Sequence, residues 1–331
     1  MTIPRLVEGR ERLFGRLASR PVDTNPLDEF SGPARAWKWL RLKEWQGWTM
    51  VHPEVYSSMI LQDAHYLASS EIYVRDKASG VLHEHAANAR GGSLGLAREL
   101  WGSHPRMAAT GFDLRYDFGA ADGQHVVTID IAATKKAPAF SGELVLDGSR
   151  ASAPLSVSSR LPGGAMYTHK VLFPAAGHLR VGDREIVFDP ERDLAILDEH
   201  KSFLPYRTEW VWGTFGTRTA DGTPIGANMV DRPELPGEPE ESCLWFPGVC
   251  EPLSDVVFVN RGEEWLVNSF DGRVDVIFVP DGRKDVRHEM GVASIDYFQL
   301  YGRYTGTLRS LDGTTYDIDV TGVLESMRMR S

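Results

Sequence analysis

Bulky and polar side chains alternate along most of this chain, which is the period of a half-buried β-strand and not that of a helix. From Trp37 the segment WKWLRLKEWQGWTMV alternates in this way, with Gly47 as a candidate bulge or bend. SSMILQDAHYLASSEIYVRDKASGVLHEH carries two strand-like runs around a turn at residues 76–80. FDLRYDF, HVVTIDIAA and GELVLDG follow. The last third repeats the theme in TEWVWGTFGT, SDVVFVN, EEWLVNSF, VDVIFVP, FQLYGRYTGTLRS and TTYDIDVTGVLESM. Residues 256–259 and 276–279 are continuous apolar runs, each a strand covered on both faces or one lining an apolar cavity. Asp-Gly pairs at Asp122-Gly123, Asp147-Gly148, Asp221-Gly222, Asp271-Gly272, Asp281-Gly282 and Asp312-Gly313 signal tight hairpins, whose turns need positive φ. Helical spacing falls near the start, where Leu6, Leu13 and Leu17 predict a short amphipathic helix within residues 4–19. A Pro- and Asp-rich loop follows over residues 20–35.

Short strands separated by turn signals argue for a sandwich or barrel rather than a βαβ fold. A length of 331 residues suggests two domains. The polar turn at residues 189–193 separates two β-rich stretches of similar length. We therefore expect a helix and loop over residues 1–36, a first barrel over 37–192 and a second over 193–331.

Composition narrows the possible functions. Apolar residues make up 42% and charged residues 25%, an ordinary globular balance. Aromatics reach 10%, with nine Trp, which suits pleated surfaces and aromatic-lined cavities. A net charge of −10, with no basic run longer than Lys135-Lys136, argues against nucleic acid and anionic membranes as partners. No stretch approaches the ~18 apolar residues of a membrane span. Residues 1–5 lack the apolar core of a signal peptide, so the expected location is cytoplasmic. Cys243 and Cys250, with six residues between them, read as free thiols. No phosphate-binding glycine loop and no G-x-S-x-G elbow is present, so no cofactor is expected.

HVVTIDIAAT, AMYTHKVLFPAAGHLRVG, LDEHKSFLPYRTEWVW, GANMVD, ESCLWFPG and LYGRYTG, in that order, resemble the DUF2804 family of uncharacterised proteins. LKEWQGW and QDAHYLASSEIYVRD fit its N-terminal half, so the resemblance covers about residues 37–326. It implies a mainly β fold of two tandem lipocalin-like antiparallel β-barrels with a short N-terminal helix, similar to carotenoid-hydratase-like proteins. Some members of that wider group hydrate or cyclise hydrophobic polyenes. Fold alone does not carry an activity across.

The densest polar cluster is Asp198, Glu199, His200, Lys201, Tyr206, Arg207 and Glu209, before Trp210 and Trp212. In an apolar cavity one such group carries a shifted pKa and can move a proton, while aromatic walls stabilise a developing cation. Asp198, His200 and Lys201 are the acid–base candidates, with Tyr206, Arg207, Glu209, Trp210 and Trp212 positioning a ligand. The same stretch equally reads as a structural ion-paired link between the halves. Asp63 and His65, two apart in a strand, share a face, which suits a carboxylate orienting an imidazole; a solvent-facing edge pair is the simpler reading. Asn228 and Trp245 are further ligand-binding candidates, and equally a turn cap and a wall residue. His83 and His85 form an H-x-H without further ligands, and no metal is assigned. Trp37, Trp39, Trp45 and Trp48 crowd together and suit a plug at a barrel end. The first functional reading is binding of a hydrophobic small molecule (a lipid, terpenoid or polyketide) in a barrel or inter-barrel cavity. The alternative is a cofactor-independent hydratase, isomerase or cyclase. Ligand identity and oligomeric state are not legible.

Overall fold

A computed structural model describes residues 2–96, 98–290 and 293–330. The helix expected within residues 4–19 is replaced by three two-residue strands, β1 (Val7–Glu8), β2 (Glu11–Arg12) and β3 (Gly15–Arg16). Gly9, Arg10 and Gly15 have positive φ, which interrupts helical backbone, and Leu6 and Val7 are buried against Tyr167 instead. The helix near the N-terminus lies later, as α1 (Gly32–Arg41), with Ser31 before it, a proline in its first turn and Lys38 and Arg41 in its last. It buries none of its residues, so Trp37 and Trp39 are helical and not the start of a strand.

Two compact units divide the chain. The first comprises Met1–Ser158 and Met166–Phe203, the second Ser159–Ala165 and Leu204–Ser331. The division falls after Phe203, and not at 192/193, because the strand at 194–203 hydrogen-bonds into the first sheet.

Strands of the first sheet are β4 (Leu42–Val51), β5 (Val55–Asp63), β6 (Leu67–Asp76), β7 (Leu82–Arg90), β8 (Arg106–Ala109), β9 (Phe112–Phe118), β10 (Gln124–Ile131), β11 (Phe140–Asp147), β12 (Leu155–Leu161), β13 (Gly164–Val181), β14 (Arg184–Phe188) and β15 (Leu194–Phe203). Their order is β7-β6-β5-β4-β15-β13-β11-β10-β9-β8, with β12 and β14 paired to β13. The end strands β7 and β8 come back beside each other, so the sheet curls into a nearly closed barrel. Alternation sets the faces: in β9, Phe112, Leu114, Tyr116 and Phe118 point into the core, while Asp113 and Asp117 pair with Arg106 and Arg115 outside. Gly47 keeps unbroken register with Ile60 and Asp198, so no bulge forms there.

The second sheet holds β16 (Arg207–Arg218), β17 (Pro224–Asp231), β18 (Cys243–Phe246), β19 (Val249–Pro252), β20 (Val256–Asn260), β21 (Trp265–Ser269), β22 (Val274–Met290), β23 (Ala293–Arg309) and β24 (Thr315–Arg330). Its order is β19-β18-β17-β16-β24-β23-β22-β21-β20, an antiparallel half-barrel. Asp-Gly pairs at 122, 221, 271 and 312 do turn hairpins, but Asp147-Gly148 opens a short 3-10 turn and Asp281-Gly282 sits at a bulge inside β22. An aromatic stack of Phe215, Phe278 and Tyr304 fills the core. It fits because a Cβ on Gly213 would lie 2.5 Å from Tyr304 Oη, and one on Gly322 would lie 2.9 Å from the same ring. Cys243 and Cys250 are free thiols, and among the described residues no helix is long and apolar enough to cross a membrane.

Candidate functional site

Trp48, Met50, Ala195, Leu197, Met59 and Leu61 belong to the core of the first barrel. Strand periodicity then turns Glu44 and Gln46 on β4, Glu199 and Lys201 on β15, and Asp63 on β5 to the same inner face. Register places Lys201, Glu44 and Asp63 in one cross-strand row, and Glu199, Gln46, Leu61 and Ser70 in the next. Polar side chains thus occupy part of a barrel whose remaining inner face is mostly apolar.

Four charged groups in this region are fully paired. Arg20 grips Glu199 with two hydrogen bonds, Nε to Oε2 at 2.6 Å and Nη2 to Oε1 at 2.7 Å. Its other N–H groups donate to backbone oxygens of Pro21, Val22 and Arg98 and to Thr24. Such a buried, saturated guanidinium fixes the segment that carries it. Lys201 Nζ donates to Glu44 Oε1 at 2.7 Å. His65 Nε2 lies 2.8 Å from Glu44 Oε2. Burial alone would raise the Glu44 carboxyl. The charge of Lys201 and the hydrogen bonds from His65 and Lys201 outweigh it and bring it down to about 2. Glu44 is therefore a carboxylate, accepts only, and leaves the His65 proton on Nε2. His65 Nδ1 is buried without a partner. The residue has φ +66°, an uncommon conformation outside glycine, and its backbone N–H donates to Asp63 Oδ1 at 2.7 Å. Trp39 lies edge-on to its ring at 4.8 Å.

Deeper in the barrel lies a second set of polar residues: both amide atoms of Gln46, Trp48 Nε1, Ser70 Oγ, Tyr116 Oη and His125 Nε2 lack partners, and His169 has a backbone hydrogen bond at Leu155. Each of these residues is about 1% exposed. All sit on inward positions of β4, β6, β9, β10 and β13. Burial lowers His125 to about 4; it also lowers His169 to about 4, against the raising charge of Glu199. Both rings are therefore neutral at neutral pH. Trp101 stacks on His125 at 5.1 Å and meets His169 edge-on at 5.9 Å.

The structure separates the residues singled out in the sequence. Lys201, Asp63 and His65 come together around Glu44. The pair Asp63–His65 is buried and not a solvent-facing edge, and the carboxylate that orients the imidazole is Glu44, not Asp63. Asp63 instead accepts the backbone N–H of Gly92 on both oxygens. Asp198 and His200 lie on the opposite face of β15 from Glu199 and Lys201. There Asp198 faces Lys170 Nζ at 3.3 Å, and His200 stacks on Trp45 at 4.0 Å. In the second unit Tyr206, Arg207 and Glu209 are exposed. Trp210 Nε1 donates to Glu325 at 3.0 Å, and Trp212 Nε1 donates to Asn228 Oδ1 at 2.8 Å. Asn228 Nδ2 donates in turn to the Glu241 carbonyl, so its amide is spent on structure. Trp245 is fully buried, with Nε1 unpartnered, on the strand face opposite Leu244 and Phe246. His85 Nε2 lies 2.7 Å from the Pro138 carbonyl, and among the described residues no group of three metal-ligating side chains gathers.

Glu44, Gln46, Trp48, Ser70, Tyr116, His125, His169 and Arg20 were not singled out as site residues from sequence. For Glu44 and Gln46 the signal was present, since they share parity with Trp48 in EWQGW.

Solved structures are similar to this chain, and CghA shares its fold. CghA, crystallised with Sch210972, superposes with a TM-score of 0.58 at 11% identity, covering 86% of this chain and 87% of that one. Kievitone hydratase from Nectria haematococca gives a TM-score of 0.48 at 10% identity over 87% and 89%. No curated protein matches in sequence. The family model described as "Domain of unknown function (DUF2804)" matches residues 12–331, and the chain belongs to that family.

Proposed function

We propose that the first barrel binds a small organic molecule, apolar over most of its surface and carrying a few polar atoms. The observation that supports this is the set of unpartnered polar atoms on its inner face. Leaving a buried polar group unanswered costs about 1–3 kcal/mol, and native proteins leave few of them. Gln46, Ser70 and His125 together make a polar lining set among Trp48, Trp101, Phe118 and Phe173. That mixture of aromatic walls and sparse polar atoms is the usual make-up of a small-molecule site. The fold shared with CghA, which has been crystallised with Sch210972, is in keeping with this reading.

A second reading, cofactor-independent hydration, isomerisation or cyclisation of the bound molecule, is favoured by Glu44 and His65. Glu44 holds the Nε2 proton, so Nδ1 offers a lone pair as general base, and the carboxylate stabilises the imidazolium once the proton is taken. The proton returns to the product from the same nitrogen.

Native mass spectrometry of protein purified from its own host tests the first reading. One additional small mass, released on denaturation, is expected. A bare protein mass, with nothing taken up from the host's extract, overturns it. If His65→Ala keeps the bound mass and loses turnover, the second reading stands; equal turnover in that variant removes it.

A further inference from the structure

Three of the unpartnered atoms in the first barrel are hydrogen-bond donors whose state is set by their surroundings. Trp48 Nε1 carries a hydrogen and no available lone pair. His125 Nδ1 accepts the backbone N–H of Gly119 at 3.1 Å, so the proton of the neutral ring resides on Nε2. Burial keeps that ring neutral at neutral pH. Tyr116 Oη is fully buried, and burial pushes its ionisation well up, so the hydroxyl keeps its hydrogen.

The three rings come from β4, β9 and β10 and gather on one phenyl ring. Centroids of Trp48, Tyr116 and His125 lie 5.9, 6.2 and 5.8 Å from that of Phe118. Trp48 and Tyr116 are 6.4 Å apart, and Phe173 lies 5.4 Å from Trp48 and 5.2 Å from His125. The hydrophobic cluster that holds Trp48, Tyr116 and Phe118 also contains Met59, Val127 and Leu144. Donors from three strands set in aromatic walls match an oxygen that accepts and has no hydrogen of its own to place. Of the three, only Tyr116 Oη has lone pairs to accept the hydrogen that a hydroxyl or a water brings, whereas a carbonyl or enolate oxygen brings none and can take all three donors.

We propose that Trp48, Tyr116 and His125 form a recognition site for a carbonyl oxygen, so that the molecule taken into the first barrel is an apolar carbonyl compound held by that oxygen. The proposal rests on the binding reading above and adds the chemical class. The same three donors, fixed before any ligand arrives, would also stabilise charge that develops on that oxygen, as preorganised donors do.

The test uses the full chain labelled with nitrogen-15 and two probes of similar size, cyclohexanone and methylenecyclohexane, which differ in the oxygen. Trp48→Phe assigns the Trp48 indole resonance. Cyclohexanone is expected to move that resonance downfield and to bind more tightly than the hydrocarbon. Tyr116→Phe keeps the side-chain volume, and its fold is checked by its unfolding midpoint. It should weaken ketone binding roughly 3- to 10-fold, the worth of one neutral hydrogen bond, and leave the hydrocarbon unaffected. If both probes bind equally, or if Tyr116→Phe binds the ketone as well as the parent, the carbonyl assignment fails while binding in the barrel stands. If neither probe perturbs Trp48, Trp101 or His125 up to its solubility limit, both proposals fall together.

Discussion

Tyr116 in the first unit and Tyr304 in the second are two fully buried tyrosines with opposite hydrogen-bonding fates. Tyr304 donates to the Val323 carbonyl at 2.9 Å, and glycines clear the space its ring occupies. Tyr116 Oη meets nothing. On the other face of the sheet that holds Tyr304, Asn228 uses both ends of its amide. Around Tyr116, His125 and Trp48 also keep an unanswered donor. One β interior has been closed by packing, with polar atoms spent on its own backbone. The other retains hydrogen-bonding capacity that the chain itself does not use. Two curled sheets from one chain can thus diverge completely in what their insides can do, and the difference lies in a handful of polar atoms and not in the fold.

The largest break in this comparison comes from the charged layer of the first unit. Glu199→Ala strips the partner from a buried Arg20, and removing one member of a buried pair costs about 3–5 kcal/mol. Chemical denaturation should show that loss in the first unit; a loss under about 1 kcal/mol would mean Arg20 finds other acceptors. Acidity should separate the units next. His125 and His169 have folded-state pKa values near 4, below their ordinary 6.5, so their contribution is full above 6.5 and is lost as pH falls towards 4. For the fully buried His169 this is on the order of 2–3 kcal/mol. Glu44, near 2, adds a loss below about 4.5. In the second unit, burial lifts Glu240 to about 7 despite Arg232, with Glu241 and Glu234 adding to the rise. Its contribution is full below 4.5 and lost as pH rises to 7. Hydrogen exchange read separately for each unit should therefore slope in opposite directions between pH 4.5 and 6.5. Parallel slopes would refute the assignment.

The fold was readable because turn chemistry and alternation are local. Four Asp-Gly turns, the apolar face of FDLRYDF and the long strands of the last third follow from them directly. The N-terminal segment was misread because Leu6, Leu13 and Leu17 have helical spacing, whereas positive φ at Gly9, Arg10 and Gly15 vetoes a helix. WKWL was misread because its alternation resembles a strand, though the Ser31-Gly32-Pro33 start is a helix signal. The site was half readable. A run such as Asp198-Glu199-His200-Lys201 looks dense on paper, but a strand sends alternate members to opposite faces. Only Glu199 and Lys201 face inward. Their partners Arg20 and Glu44, and the His65 that meets Glu44, are far away in sequence, and nothing local announces that pairing. His125 and His169 are far apart in the sequence, and sheet pairing alone brings their strands around one interior.

A smaller substitution sharpens the contrast. Gly322→Ala places a Cβ 2.6 Å from the Thr214 carbonyl oxygen and 2.9 Å from Phe215 and Tyr304 in the second unit. Overpacking of this kind costs about 1–3 kcal/mol, read as a lower denaturation midpoint; an unchanged midpoint would show that this core yields more easily than its packing implies.

The finest test removes one oxygen from each unit. Tyr304→Phe deletes a satisfied hydroxyl and leaves the Val323 carbonyl without that donor, so it should cost about 0.5–1.5 kcal/mol. Tyr116→Phe deletes a hydroxyl with no partner, and in ligand-free protein it should change stability by less than about 0.5 kcal/mol or raise it. The two variants lose the same atom from equally buried rings, so volume and transfer terms cancel between them. What remains is the difference between a hydrogen bond made within the chain and one not made. If Tyr116→Phe proves as costly as Tyr304→Phe, the Tyr116 hydroxyl is already bonded, to ordered water or to a retained molecule. Repeating the measurement after denaturing extraction and refolding separates those two cases, because extraction removes a retained molecule and water returns.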